Sequence, residues 1–164
     1  MEVRTLKDLY MDQLQDLWSA ESQILKALPK MISAASSKKL ADAFRHHEKQ
    51  TQTHVKRLEE ICEALDISPK GKKCVGMEGL LKEGEELIQE KPSPEALDAG
   101  LISAAQHVEH YEMAGYGTVR TWATLLGYSD QAILLQYTLD EEKATDSELS
   151  VLAGAINVAA EAIA

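Results

Sequence analysis

The sequence is short of aromatic residues, with one Phe, two Trp and five Tyr among 164 positions. It is also short of basic ones. Seventeen Lys and Arg stand against 27 Asp and Glu, giving a net charge of −10 with His neutral. So acidic a chain has no basic face to follow a phosphate backbone, which argues against a nucleic-acid partner. The same balance disfavours adhesion to an anionic membrane surface. No apolar run approaches membrane-spanning length. The first residues, Met1-Glu2-Val3-Arg4, lack the apolar segment of a secretion signal, so the cytoplasm is the expected compartment. Cysteine occurs twice, as Cys62 and Cys74, with neither C-x-x-C nor zinc-finger spacing. Two free thiols suit a reducing environment. There is no Gly-rich phosphate loop, no H-E-x-x-H and no G-x-S-x-G. No stretch reads as a strand.

What remains is helical. The chain is 45% hydrophobic and 27% charged, dominated by good helix formers, and residues 1–164 suit one domain with a full core. Thr5-Leu6-Lys7-Asp8 predicts a capping box. From there Leu6, Tyr10, Leu14, Leu17, Glu21, Leu25, Leu28 and Ile32 keep a helical stripe that survives Pro29. Ser33 to Ser37 gives a turn and a Ser cap. The second helix runs from Lys38 to Leu65 and ends at Asp66-Ile67-Ser68-Pro69-Lys70-Gly71. A shorter amphipathic helix spans Cys74 to Glu90. Ser93 as cap and Pro94 as first residue start a third long helix that reaches Leu126. Gly127 stops it, and Ser129 or Asp130 opens the last. The expected fold is all-α: an antiparallel four-helix bundle with a short fifth helix in the long crossover between helices two and three. That connection is the ferritin-like one.

Each inward stripe carries polar residues. In helix two, Leu40, His47, His54, Leu58, Ile61 and Leu65 share one sector, with Gln50 and Thr51 at its edges. Helix one supplies Glu21. Helix three supplies Glu112, with Glu109 at the sector edge, either as an extra ligand or facing a groove. Helix four supplies Glu142 and Asp146, alongside Leu135, Leu139, Leu149 and Ile156. Tyr111 and Tyr116 read as packing residues, Tyr116 within reach of a carboxylate. His46, His107 and His110 point outward.

These residues fall at one depth. Helices joined by a tight turn place residues side by side when they are equally far from it. Glu21 lies about 15 residues before the first turn, level with Thr51, between His47 and His54. Glu112 lies about 16 residues before the second turn, level with Thr145, between Glu142 and Asp146. Both sit roughly 24 Å from their turns at 1.5 Å per residue. Four carboxylates in an apolar core must be protonated, paired or holding metal. Carboxylates with imidazoles suit a pair of first-row divalent ions, iron or manganese. A hydrogen-bonded or proton-sharing belt is the other reading.

Several segments together resemble the YciF-like bacterial stress proteins. They are Phe44-Arg45-His46-His47-Glu48-Lys49-Gln50-Thr51-Gln52-Thr53-His54-Val55, Val75-Gly76-Met77-Glu78-Gly79-Leu80, Val108-Glu109-His110-Tyr111-Glu112 with Gly115-Tyr116-Gly117-Thr118, and Leu139-Asp140-Glu141-Glu142-Lys143-Ala144-Thr145-Asp146. The resemblance covers nearly the whole chain. It implies a ferritin-like bundle, a cytosolic homodimer and a link to stress. Di-iron members of the wider class take one Glu from each of two helices and Glu-x-x-His from the other two. Against that pattern Glu21 and Glu112 are the single glutamates. His54 is a histidine whose partner position holds Thr51, with Gln50 as nearest substitute. Glu142 is a glutamate followed three residues on by Thr145, with Asp146 next to it in place of His. His47 is then an added ligand. Two functions are compatible with this: a dinuclear iron or manganese protein that oxidises ferrous iron or handles peroxide, or a dimeric structural or interaction protein with a vestigial belt.

Overall fold

A computed structural model describes residues 3–163; Met1 and Glu2, part of the stretch read as lacking a secretion signal's apolar segment, lie outside the described residues. Five helices follow in order: α1 Leu6–Ala34, α2 Lys38–Ala64, α3 Val75–Glu90, α4 Pro94–Leu125 and α5 Ser129–Glu161. Among the described residues there is no strand. Among the described residues no helix is long and apolar enough to cross a membrane.

The ends form for local reasons. Thr5 caps α1 in the predicted box: its hydroxyl accepts from the Asp8 amide at 3.1 Å, and the Asp8 carboxylate accepts from the Thr5 amide at 2.9 Å. Pro29 sits inside α1 and does not end it. Ser37 and Ser93 cap α2 and α4. Gly127, at φ +81°, closes α4 in a Schellman motif, with Tyr128 N–H on Ala123 O and Gly127 N–H on Thr124 O. Asp66 does the same for α2 at φ +56°, a conformation that Asp tolerates better than most residues.

The hairpins α1–α2 and α4–α5 pack side by side, α1 against α4 and α2 against α5. Tyr10, early in α1, reaches Gln131 at the start of α5. Asp98, early in α4, reaches the α1–α2 turn. Every adjacent pair of long helices is therefore antiparallel. The crossover carries α3 across the outside of α1 and α4. At Gly115 an added Cβ would stand 2.8 Å from Leu17 Cδ2, so α4 approaches α1 closely there.

In α1 the buried stripe keeps a seven-residue spacing, Tyr10, Leu17 and Ile24 with Leu14, Glu21 and Leu28, so Ile24 and not Leu25 is buried. In α5 the buried set is Leu135, Thr138, Leu139, Glu142, Thr145 and Leu149. The core consists of two apolar clusters. One gathers Ile24, Leu28, Leu40, Phe44, Leu101 and Leu149 near the α1–α2 turn. The other gathers Tyr10, Leu14, Leu58, Ile61, Val119 and Leu135 near the α4–α5 turn. A polar layer lies between them.

Asp98 fastens one end of this arrangement. It is 4% exposed, and its two carboxylate oxygens accept from the Ser36 and Ser37 amides at 2.7 Å each. Bonds to a charged acceptor contribute about 1.5–3 kcal/mol apiece. Asp98→Ala leaves two amides unpaired and is expected to lower stability by about 2–4 kcal/mol in urea unfolding. Asp98→Asn, which keeps one acceptor oxygen, should recover only part of that loss.

Candidate metal centre

The polar layer is built from all four long helices. Glu21 comes from α1, His47 and His54 from α2, Glu109 and Glu112 from α4, and Glu142 from α5. Glu21, His54, Glu112 and Glu142 are fully buried; Glu109 and His47 are 2% and 3% exposed. Each sits on an inward stripe, so the packing that buries the leucines also buries these groups.

Two groups of ligand atoms form, each with its atoms within 4.8 Å of one another. One is His47, Glu109, Glu112 and Glu142; the other is Glu21, His54 and Glu142. Glu142 belongs to both. His47 Nε2 lies 3.4 Å from Glu109 Oε1, and its Nδ1 lies 3.9 Å from Glu142 Oε2. His54 Nδ1 lies 2.9 Å from Glu142 Oε1 and 3.2 Å from Glu21 Oε1. These are ion-pair approaches without hydrogen-bond alignment, for His54 Nδ1 and both Glu142 oxygens have no hydrogen-bond partner.

Glu141 and Arg57 were not legible as site residues, yet they orient His54. Nε2 of His54 is 2.9 Å from Glu141 Oε2, and the Arg57 guanidinium holds that carboxylate through both of its oxygens. With Nε2–H donating to Glu141, His54 turns Nδ1 toward Glu21 and Glu142. A carboxylate behind an imidazole is the arrangement that fixes a metal-ligating histidine. Tyr116 likewise donates its hydroxyl hydrogen to Glu21 Oε1, leaving Oε2 without a partner.

Two expected residues are not brought to either group. Asp146 stands half-buried on the α4 side, where it accepts from Gln106 Nε2 at 3.0 Å and pairs with His110 at 3.3 Å. From Glu142 a step of four residues leads there, and a step of three leads to buried Thr145. Thr145 Oγ1 lies 3.4 Å from His47 Nδ1. Its small side chain leaves that space to the His47 ring. Gln50 is half-buried at the edge and accepts from Thr145 Oγ1 at 3.5 Å. Glu109, with two possible orientations in sequence, is inside. Tyr111, expected only to pack, donates to Asp16 Oδ2 at 3.1 Å and touches Cys74 Sγ at 3.0 Å.

The protonation pattern follows from this crowding. Burial, then the Glu142 charge, pushes the Glu109 carboxyl well above its ordinary range. Burial, with Glu21 and Glu142 beside it, does the same to Glu112. Burial raises Glu21 in spite of His54. Burial opposes charge on His54, but the Glu21 charge, the hydrogen bond to Glu141 and the close approach of Glu142 outweigh it and lift its pKa to about 12. Burial also opposes charge on Glu142, and His54 overcomes it to keep that carboxyl low. Glu141 falls to about 2 through His54 and, against partial burial, Arg57. His47 is lowered by burial.

Among the described residues, eight of the nine buried side-chain polar atoms without a hydrogen-bond partner belong to this layer; Arg120 Nε is the ninth. Native cores leave few such atoms, because each costs about 1–3 kcal/mol. Here they converge on two points from four helices. Carboxylate oxygens and imidazole nitrogens so placed fit first-row divalent cations.

Residues 5–162 match a family model described as a domain of unknown function, DUF892, and the chain belongs to that family. It is 45% identical to protein YciF of Escherichia coli K12 over 154 residues, 93% of each chain. The crystal structure of the E. coli stress protein YciF superposes with a TM-score of 0.91 at 44% identity, covering 94% of this chain and 98% of that one. YcfI from Rhodopseudomonas palustris, described as a proposed structural protein, gives 0.88 at 40% identity, covering 91% and 95%.

The metal-free protein should lose stability as pH rises above neutral. Glu109 and Glu112 have folded pKa values above the ordinary 4.5, so the folded state holds more protons from there upward. His54 does the same between 6.5 and about 12. The groups shifted downward, His47, Glu141 and Glu142, act below about pH 6.5 and do not oppose this. The melting temperature of the apoprotein is expected to fall between about pH 7 and 9, and Glu112→Gln to flatten that slope.

Proposed function

We propose that this DUF892 member is a ferritin-like protein holding a dinuclear non-haem centre of iron or manganese. The observation that carries the reading is the donor inventory. Di-iron bundles of this class use four carboxylates and two histidines. Here Glu21, Glu109, Glu112 and Glu142 with His47 and His54 supply the same number of each, although two donors come from different helices. Thr51 stands where α2 would carry a glutamate, and Glu109 on α4 makes up the carboxylate. Thr145 stands where α5 would carry a histidine, and His47 on α2 makes up the imidazole. The order of the chain, two antiparallel hairpins joined by one long crossover, agrees with the class.

In this reading His47, Glu109 and Glu112 would hold one ion and Glu21 and His54 the other, with Glu142, which belongs to both groups, available to either. A bound pair of redox metals supplies one-electron chemistry with oxygen or peroxide, and with it ferrous oxidation or peroxide handling under stress. The chain's own groups orient and desolvate. Glu141 and Arg57 fix the ring of His54. Tyr116 holds Glu21 and can move a proton at Glu21 Oε1. The two apolar clusters exclude bulk water on either side. The stress association extends what is said of YciF in E. coli to this relative, and a cytoplasmic setting goes with it. Ile133, Tyr137, Val151 and Val158, exposed along α5, favour a homodimer. A non-catalytic structural role is the second reading. It is favoured by the His54 charge, which lets the layer persist on shared protons alone.

Elemental analysis of protein expressed with iron and manganese available separates the two. The metal reading expects about two ions per chain, with Glu142→Ala, which removes the donor common to both groups, retaining well under half. Asp146→Ala should leave the content unchanged. A wild-type yield far below one ion per chain, unaffected by Glu112→Ala, would leave the structural reading standing. In a metal-loaded sample, ferrous oxidation should fall by at least about tenfold in Glu142→Ala, the loss of about 1.4 kcal/mol.

A further inference from the structure

The two halves of the polar layer have different neighbours. Behind His54 stand Glu141 and Arg57, a polar edge close to solvent. Behind His47 lies a cavity. Leu28, Phe44, Ala105, Val108 and Leu149 wall it, His47, Glu109 and Thr145 close one end, and the exposed Glu148 also lines it. The centre of a water-sized sphere has about 20 Å³ to move in, enough for one guest of about that size, since a water needs roughly 10–15 Å³. Ala27, Met31, Leu81 and Val108 line this cavity and also the open groove between α1, α3 and α4. Those shared side chains are thus the wall between the cavity and solvent, and Ala27, Met31 and Leu81 are only half-buried.

The lining decides what the cavity can take. Along Leu28, Phe44, Ala105 and Val108 an ion would shed its hydration shell against hydrocarbon, at a cost those side chains do not offset. Hydrogen peroxide or water would find hydrogen-bond partners only at Glu148 and at the His47, Glu109 and Thr145 end. A small apolar molecule loses little on leaving water, and apolar cavities of this kind admit such guests. We propose that this cavity is a binding pocket for a small apolar gas, by size and chemistry dioxygen, held against the His47–Glu109 side of the layer. Its role as a supply pocket for a redox centre rests on the metal reading above; its ability to bind the gas does not.

The pocket would give the layer an apolar approach. The gas would reach it past Met31 and Leu81 beneath α3, away from the polar Glu141 and Arg57 edge. The position of α3 then matters for the centre although it contributes no ligand.

Xenon is the probe, since it has no charge and no hydrogen bonds. Crystals of the full chain pressurised with xenon should show an anomalous peak among Phe44, Ala105 and Val108. Ala105→Val narrows the cavity from inside and should lower that occupancy about threefold or more. Should Ala105→Val fail to fold, Leu81→Ala widens the half-buried wall and should raise it, with ¹²⁹Xe NMR in solution reporting the same order. No xenon in the wild-type cavity, or the same occupancy in all three proteins, would overturn the proposal. Elemental analysis of the same preparations keeps the two readings apart: xenon bound in a chain without metal would remove the centre and leave the pocket.

Discussion

Four carboxyl groups face one another in the middle of an apolar bundle, and this constraint governs the rest of the structure. At the separations seen here they cannot all be ionised in a low-dielectric interior unless positive charge stands among them. The chain supplies some of that charge itself. His54 lies between Glu21 and Glu142, and Arg57 steadies it through Glu141. Tyr116 gives a hydrogen bond to Glu21. Glu112 has no hydrogen bond at either oxygen. A layer built for protein partners alone would finish the task; this one stops with its open atoms converging. The two apolar clusters on either side then supply the burial energy that holds the helices in place around it.

On the metal reading proposed above, the layer keeps a donor set while its addresses change. Neighbouring helices cross at a common depth, so a ligand lost from one can be replaced from the next without moving the point where donors converge. The exchange at Thr145 illustrates this. A threonine at that position is small enough for the His47 ring to stand 3.4 Å from its hydroxyl. Thr51 is fully buried on α2, with its hydroxyl turned back to the His47 carbonyl. Neither threonine is a ligand, and both leave space that a larger side chain would fill. Ligand spacing along one helix is therefore a poor guide to what a bundle binds; the depth of donors across helices is the better one.

That depth was legible in the sequence because it depends on helix rise and turn position alone, both of which are local. The caps at Thr5, Ser37 and Ser93 and the stop at Gly127 were legible for the same reason. What escaped depends on rotation and on contacts between helices. Whether Thr145 or Asp146 turns inward is a choice between steps of three and four, and neighbour packing decides it. Asp146 instead found Gln106 and His110 on α4. Glu141 and Arg57 lie outside the apolar sectors and meet only when α2 and α5 are packed together. Glu141 stands between exposed Asp140 and inward Glu142, with nothing local to mark it. Asp98 was hidden in the same way, since its partners are 61 and 62 residues away.

The central claim is that these donors converge on two cations. Anomalous diffraction tests it most directly, with data from crystals grown with manganese or iron and collected on both sides of the metal edge. The account predicts two peaks flanking the Glu142 carboxylate, one beside His47 and Glu109 and the other beside Glu21 and His54. A layer free of anomalous density, or metal only at surface carboxylates such as Asp146, would contradict it.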